Sequence, residues 1–100
     1  MNTAMLRMAA LTSLLVVAHG SAHSALAEYD CHVVLANNRA DIVLVEAPDR
    51  PRAEALALRA VVPQGKARPQ AVRQLKECVL RHTERFSDPA MEVRRKSKPL

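Results

Sequence analysis

The amino-terminal segment limits which part of this chain is available to fold. Arg7 is its only charged residue, and an apolar run over residues 8–18 follows. Small residues stand at Ala25 and Ala27. A positive residue, an apolar run and small residues in this order are typical of a secretory signal peptide. The run is too short to span a bilayer, which takes roughly 20 apolar residues. We therefore predict a signal peptide over residues 1–27, cleaved after Ala27, with no membrane span after cleavage.

The two cysteines constrain the remaining residues, 28–100. A domain of this size buries too little surface to be very stable without help. Export places Cys31 and Cys78 in an oxidising compartment, the periplasm or the extracellular medium, where thiols pair. Only one intramolecular pairing exists, and closing that loop stabilises the fold by roughly 4 kcal/mol at most. We predict a Cys31–Cys78 disulfide as the main covalent support of one small domain over residues 28–93.

Charge is divided unevenly along the chain. Residues 28–65 contain four basic and six acidic residues, whereas residues 66–100 contain ten basic and four acidic ones. A short run of like charges is usually a solvated tail, so we predict a flexible basic tail over residues 94–100. Its cations are candidates for contact with an acidic partner or an anionic surface: Arg94, Arg95, Lys96 and Lys98.

Two runs rich in β-forming residues, 29–36 and 40–47, lie on either side of Asn37-Asn38. Asparagine tolerates the positive φ of tight turns, so the pattern predicts a β-hairpin with a two-residue turn. In that register Cys31 faces Leu44. The more apolar face is assigned to the core, and it carries Tyr29, Cys31, Val33, Leu35, Ile42 and Leu44. The other face carries Asp30, His32, Val34, Asp41, Val43 and Val45.

A helix is predicted next. Asp49 can cap its amino terminus, and Pro51 is acceptable in the first turn, where its missing N–H costs nothing. The helix ends near Val62, because Pro63 and Gly65 follow. Residues 63–69 then form a polar connector.

The segment from Gln70 to Phe86 allows two interpretations. Its apolar periodicity favours a helix with one apolar stripe. Residues 77–80 also suit a short strand that pairs beside Cys31. The stripe of the helical interpretation carries Ala71, Val72, Leu75, Cys78, Val79, His82 and Phe86. After it, Ser87 can cap a last short helix over residues 88–93.

A metal site is an alternative use of the cysteines. Cys78 and His82 are four residues apart and would share one face of a helix, as ligands of zinc or copper(I) require. Cys31 and His32 would complete the set, but neighbouring residues of a strand point to opposite faces. We therefore predict no metal and no other cofactor.

Catalysis is not predicted either. His32 and His82 have no recognisable nucleophile beside them, and no acid pair has a spacing that suits acid–base work. Gly20 and Gly65 are the only glycines, which excludes a phosphate-binding loop, and no small-molecule substrate is evident. Nucleic-acid binding is disfavoured, because only Tyr29 and Phe86 are aromatic and no stacking platform results.

Three short anchors suggest a family: Tyr29-Asp30-Cys31, Glu77-Cys78 and residues 86–90, Phe-Ser-Asp-Pro-Ala. Together with the leader and the hairpin, they resemble a group of small exported bacterial proteins that are accessory to type IV pilus or type IVa secretion assembly. The resemblance implies a periplasmic protein that binds another envelope protein without catalysis. It also favours a strand over residues 70–80.

Together these features predict a small single α+β domain. It consists of a hairpin, a helix packed on it, and a carboxy-terminal segment tethered by the disulfide. The expected function is that of a non-enzymatic exported protein that binds another envelope protein, with a role in pilus or secretion assembly. The alternatives are a metal-handling protein and a cationic binder of anionic surfaces.

Overall fold

The computed structural model describes residues 25–97. Most of the predicted signal peptide and Lys98 lie outside the described residues. The elements in chain order are β1 (Ala27–Leu35), β2 (Ala40–Ala47), α1 (Arg50–Leu58), β3 (Val61–Gln64), β4 (Ala67–Leu80) and α2 (Pro89–Ser97). The strands form one curled antiparallel sheet in the order β2-β1-β4-β3, and the helices lie on its two faces. The predicted α+β class is confirmed.

The first face of the sheet holds the main core. On β1 it buries the alternate residues that the sequence predicted: Tyr29, Cys31, Val33 and Leu35. Helix α1 covers this face with Ala53 and Ala57, both fully buried, whose small side chains let the helix approach the sheet closely. Burying a side chain the size of valine or leucine contributes about 1.5–3 kcal/mol.

The second face of the sheet carries a smaller core around α2. Ile42 of β2 and Val79 of β4 pack there with Phe86 and with Met91 of α2. Phe86 and Cys78 therefore belong to opposite faces, although the helical interpretation of residues 70–86 placed them on one stripe.

The predicted register of the β1–β2 hairpin is wrong by one residue. Cys31 pairs with Val43, where the sequence predicted Leu44. The loop contains three residues, 36–38, because the Leu35 N–H donates to the Arg39 carbonyl oxygen at 2.8 Å. Asn38 is left-handed in this loop, with φ 69°. This loop is the second common hairpin type, in which a turn is followed by one left-handed residue.

A register shift of one residue exchanges the two faces of β2. Ile42 and Leu44, which were predicted to lie beside Cys31, lie on the α2 side. The residues of β2 that face α1 are instead Val43, Val45 and Ala47.

Helix α1 begins as predicted and ends earlier. The Asp49 carboxylate accepts a hydrogen bond from the Arg52 N–H at 2.9 Å, which confirms the amino-terminal cap. The helix ends at Leu58, whereas the sequence predicted an end near Val62. Residues 63–69 are not a connector, because Val61–Gln64 and Ala67–Leu80 are strands joined at Gly65, which has φ 61°.

The favoured helix over residues 70–86 is wrong, and the strand alternative is right. Strand β4 runs to Leu80 and pairs with β1 through two bulges. His32 pairs with Glu77 but Val33 pairs with Leu75, so Lys76 is an extra residue. Arg73 is the extra residue of the second bulge. The bulges place Val72, Leu75 and Cys78 on one face at three-residue intervals, a spacing that resembles a helix.

Helix α2 is longer than predicted. It runs to Ser97, so Arg94, Arg95 and Lys96 lie in a helix and not in a flexible tail. Its cap is Asp88, which accepts from the Ala90 N–H at 2.9 Å, and not Ser87. The hydroxyl and N–H of Ser87 donate instead to the Glu77 carboxylate on β4.

Candidate functional site

The predicted disulfide is confirmed. Cys31 of β1 and Cys78 of β4 are directly paired residues of neighbouring strands and are joined by an S–S bond. Both are buried in the main core. The bond ties β1, which follows the predicted leader, to a strand 47 residues later. Its place is therefore that of a covalent support inside the fold.

The alternative metal site is overturned by this bond. Both sulfur atoms are used in the disulfide, so neither is a thiolate ligand. His32 lies on the opposite face of β1 from Cys31, among Phe86 and Glu77. His82 is exposed, with Nε2 3.4 Å from the Glu28 carboxylate.

Two of the four predicted contact cations have internal partners. Arg94 donates to the Ala40 carbonyl oxygen at 2.8 Å and lies 3.4 Å from the Asp41 carboxylate. Arg95 lies 2.7 Å from Glu92 and 3.4 Å from buried Asp30. These contacts attach α2 to the sheet.

The other two predicted contact cations are Lys96 and Lys98. Lys96 is exposed and lines a cavity beside β2, where it is available to a ligand. Lys98 lies outside the described residues.

The first cavity lies on the α2 side of the sheet. It has a volume of about 310 Å³ and an apolar floor made by Ile42 and Leu44 of β2. Three cations and one histidine surround that floor, whereas a single acidic side chain contributes to the wall. The lining residues are Asp30, Ile42, Leu44, Arg81, His82, Arg95 and Lys96.

The second cavity lies between the outer edges of β2 and β3, which the curl of the sheet brings near each other. Its volume is about 490 Å³, and Gln64 of β3 reaches across to Asp41 of β2 at 3.5 Å. Ile42 and Leu44 line it as well, which joins it to the first cavity. Its lining residues are Asp41, Ile42, Val43, Leu44, Ala60, Val61, Val62, Pro63 and Arg94. We call the two joined cavities the β2 groove.

The two apolar residues that face the β2 groove most openly are Leu44 and Val61. Their exposed fractions are 48 % and 63 %. They are not isolated apolar residues on the surface, because both line the same cavity from different strands. Apolar side chains gathered in a concavity with a few polar groups at its rim are typical of a binding site.

Ion pairs and hydrogen bonds fix helix α2 and the segment before it. Hydrogen bonds from Arg50 and from the Leu80 N–H lower the pKa of Glu84, and the bond to Glu84 raises the pKa of Arg50. A hydrogen bond from the Phe86 N–H lowers the pKa of Glu92, which also binds Arg95. These carboxylates are therefore ionised at neutral pH and hold α2 and the segment before it in place.

Burial lowers the pKa of His32. Nearby Asp88 and Glu77 oppose this effect, whereas Lys76 and Arg94 add to it. The imidazole packs edge-on against the Phe86 ring, with the two ring centres 6.0 Å apart. The neutral form is therefore favoured, and we assign it to packing.

The sequence did not identify the β2 groove. Leu44 was assigned to the core because the predicted two-residue turn placed it on the face that carries Cys31. Both faces of β2 are apolar, so the alternation of residues 42–45 does not choose between them. The three-residue loop was the missing signal, since it fixes which face is covered.

Within residues 25–97 no helix has both the length and the apolar character needed to cross a bilayer. Searches against protein-family models, curated proteins and solved structures return no match for this chain.

Proposed function

We propose that this chain is an exported, non-enzymatic protein that binds another envelope protein through the β2 groove. The observation that carries the proposal is Leu44, an apolar side chain that is half exposed at the junction of two cavities. Leaving such a residue in water forgoes about 1–2 kcal/mol of burial free energy, which a partner would recover by covering it.

The walls of the β2 groove support recognition of a protein and not only of an apolar ligand. Arg94 and Lys96 of α2 lie beside the apolar floor, so a partner meets apolar and charged groups within one site. Interfaces of this kind combine a central apolar anchor with a polar rim.

The place of action follows from the proposed leader and from the disulfide. A buried disulfide fits an oxidising compartment. The proposed leader would deliver the protein to the periplasm or to the extracellular medium. A role in type IV pilus or type IVa secretion assembly stays a prediction from the sequence resemblance.

The test is site-specific photo-crosslinking in the native envelope. A photoreactive residue at Leu44 is compared with one at Leu58, which has a similar exposure but lies on α1. We expect one discrete crosslinked protein from position 44 and none from position 58. Equal crosslinking at both positions, or none at position 44, contradicts the proposal.

The amino terminus and the thiols of the recovered protein test whether it is exported. Protein recovered from the periplasm should begin at Glu28 and contain no free thiol. Full-length protein recovered from the cytoplasm with two free thiols contradicts the assigned location.

A further inference from the structure

We infer that the partner binds as an added β-strand, with an extended segment that pairs with the outer edge of β2 and carries alternate apolar residues and at least one acidic residue. This inference rests on the proposed function, because it specifies what enters the β2 groove.

Every second residue of β2 directs its backbone hydrogen-bonding groups away from β1. β1 occupies one side of β2, and the other side is an outer edge. Arg94 reaches the Ala40 carbonyl oxygen at 2.8 Å, so this carbonyl points outward. Alternate residues of a strand direct their backbone groups to the same side. The backbone groups of Ile42, Leu44 and Glu46 therefore point outward too.

Only the first half of this edge is covered. Arg94 covers the Ala40 carbonyl, and the Asp41 carboxylate accepts from the Ile42 N–H at 2.8 Å. Among residues 25–97, no side-chain hydrogen bond reaches the backbone groups of Leu44 and Glu46. Proteins usually protect a free edge from strand pairing. Here these contacts end at Ile42, one outward-facing residue before Leu44 in the β2 groove.

The opposite edge, on β3, is less suited to pairing. The Val72 N–H donates to the Ala60 carbonyl oxygen at 3.1 Å, so Ala60 faces β4. By alternation Val61 and Pro63 face outward, and proline has no N–H to donate. β2 is therefore the edge that pairs, while Val61 offers an apolar contact to the added strand.

The side chains of the β2 groove define the pattern of the added segment. Successive residues of a strand point to opposite faces. One set of its side chains would lie over Ile42, Leu44 and Val61 on the α2 side, and the other set would face Val43 and Val62. Strand addition of this type takes affinity from the backbone and specificity from pockets for alternate side chains.

The cations around the β2 groove favour an acidic residue in the added strand. The exposed cations beside the floor are Arg94 and Lys96, whereas the side chains of Asp30 and Asp41 are only 4 % and 11 % exposed. A second copy of this chain is a poorer occupant, because its own β2 edge carries the same cations and like charges would meet.

A selection on random peptides tests the inference. Short peptides displayed on phage are selected against the disulfide-bonded protein purified from the periplasm, and against its Leu44→Arg variant. The variant Leu58→Arg serves as a matched control. We expect enriched peptides with alternate apolar residues and an acidic residue, bound by the Leu58→Arg variant and lost with Leu44→Arg.

Two measurements on an enriched peptide complete the test. Binding should slow hydrogen exchange at the amides of Leu44 and Glu46. Methylating one inward amide nitrogen of the peptide should weaken binding about tenfold, because one backbone hydrogen bond is lost and its acceptor stays buried.

The outcomes separate the inference from the proposed function. Strand addition is overturned if the enriched peptides lack apolar residues at every second position, or if their binding leaves the amides of Leu44 and Glu46 unprotected. In either case the β2 groove remains a binding site if Leu44→Arg abolishes binding. No enrichment at all overturns both. A concentration-dependent dimer that protects the same amides assigns the edge to a second copy and also overturns the inference.

Discussion

Arg95 of α2 and Asp30 of β1 form an ion pair at 3.4 Å across the second face of the sheet, where their side chains are only 17 % and 4 % exposed. The same guanidinium lies 5.3 Å from the centre of the Phe86 ring and donates to the Glu84 carbonyl oxygen at 2.9 Å. One side chain therefore joins α2, the preceding loop and the central strand. It also forms one wall of the β2 groove.

Replacing Arg95 by Met should destabilise the protein by about 3 kcal/mol, because Asp30 would remain buried without its partner. Urea unfolding at neutral pH measures the change. The exposed Arg85→Met variant is the control and should change stability by less than about 0.5 kcal/mol. The double variant Arg95→Met with Asp30→Leu should recover most of the loss. Equal stability of the Arg95→Met and Arg85→Met proteins would contradict the assigned role.

Acidification should destabilise the protein through His32. Burial lowers the pKa of His32 in the folded state below the reference value of 6.5, so the unfolded chain binds the proton more readily. The contribution of neutral His32 is complete above pH 6.5 and is lost as the pH falls from there through the folded pKa. Urea unfolding between about pH 8 and about pH 5 should therefore show a steeper fall for the native protein than for His32→Gln. Parallel curves, or an NMR titration with a pKa above 6.5, would contradict this.

Removing the disulfide should weaken the fold without changing its topology. The Cys31→Ala, Cys78→Ala double variant should lose about 3 kcal/mol, because the unfolded chain regains the freedom of a closed loop. Urea unfolding of native and variant proteins measures the loss. A difference below about 1 kcal/mol would show that β1 and β4 hold together without the covalent bond.

The left-handed residue of the first loop should tolerate only certain substitutions. Asn38 has φ 69°, so Asn38→Val should destabilise by about 1–2 kcal/mol and Asn38→Gly should be neutral or slightly stabilising. Thermal unfolding measures both. Ala36→Val, at an exposed position of the same loop, is the matched control. If Asn38→Val and Ala36→Val behave alike, the assigned loop conformation is wrong.

Much of the fold could be predicted from residue patterns that have one physical meaning. Alternation along β1 identified the face that packs against α1, since the polar residues Asp30 and His32 both fall on the other face. Asp49 identified the start of α1, because a carboxylate two residues before a proline is typical of a helix amino terminus. The number of cysteines and the predicted export together predicted the disulfide.

The errors arose where one pattern allows two structures. β2 is apolar on both faces, so only the length of the loop before it decides which face is covered. In β4 the bulges at Arg73 and Lys76 interrupt the alternation, so the apolar residues recur at a three-residue spacing that is typical of a helix. Arg94 and Arg95 looked like tail residues because their acidic partners, Asp41 and Asp30, are distant in sequence.

The central claim is that the outer edge of β2 is open at Leu44, and amide hydrogen exchange of the free protein tests it most directly. The Leu44 N–H should exchange much faster than the N–H of Val43, which points toward β1, or of Ile42, which donates to Asp41. Adding a peptide that binds the β2 groove should slow exchange at Leu44 and leave Val43 unchanged. If the Leu44 amide in the free protein is as protected as that of Val43, the edge is already covered and the account is contradicted.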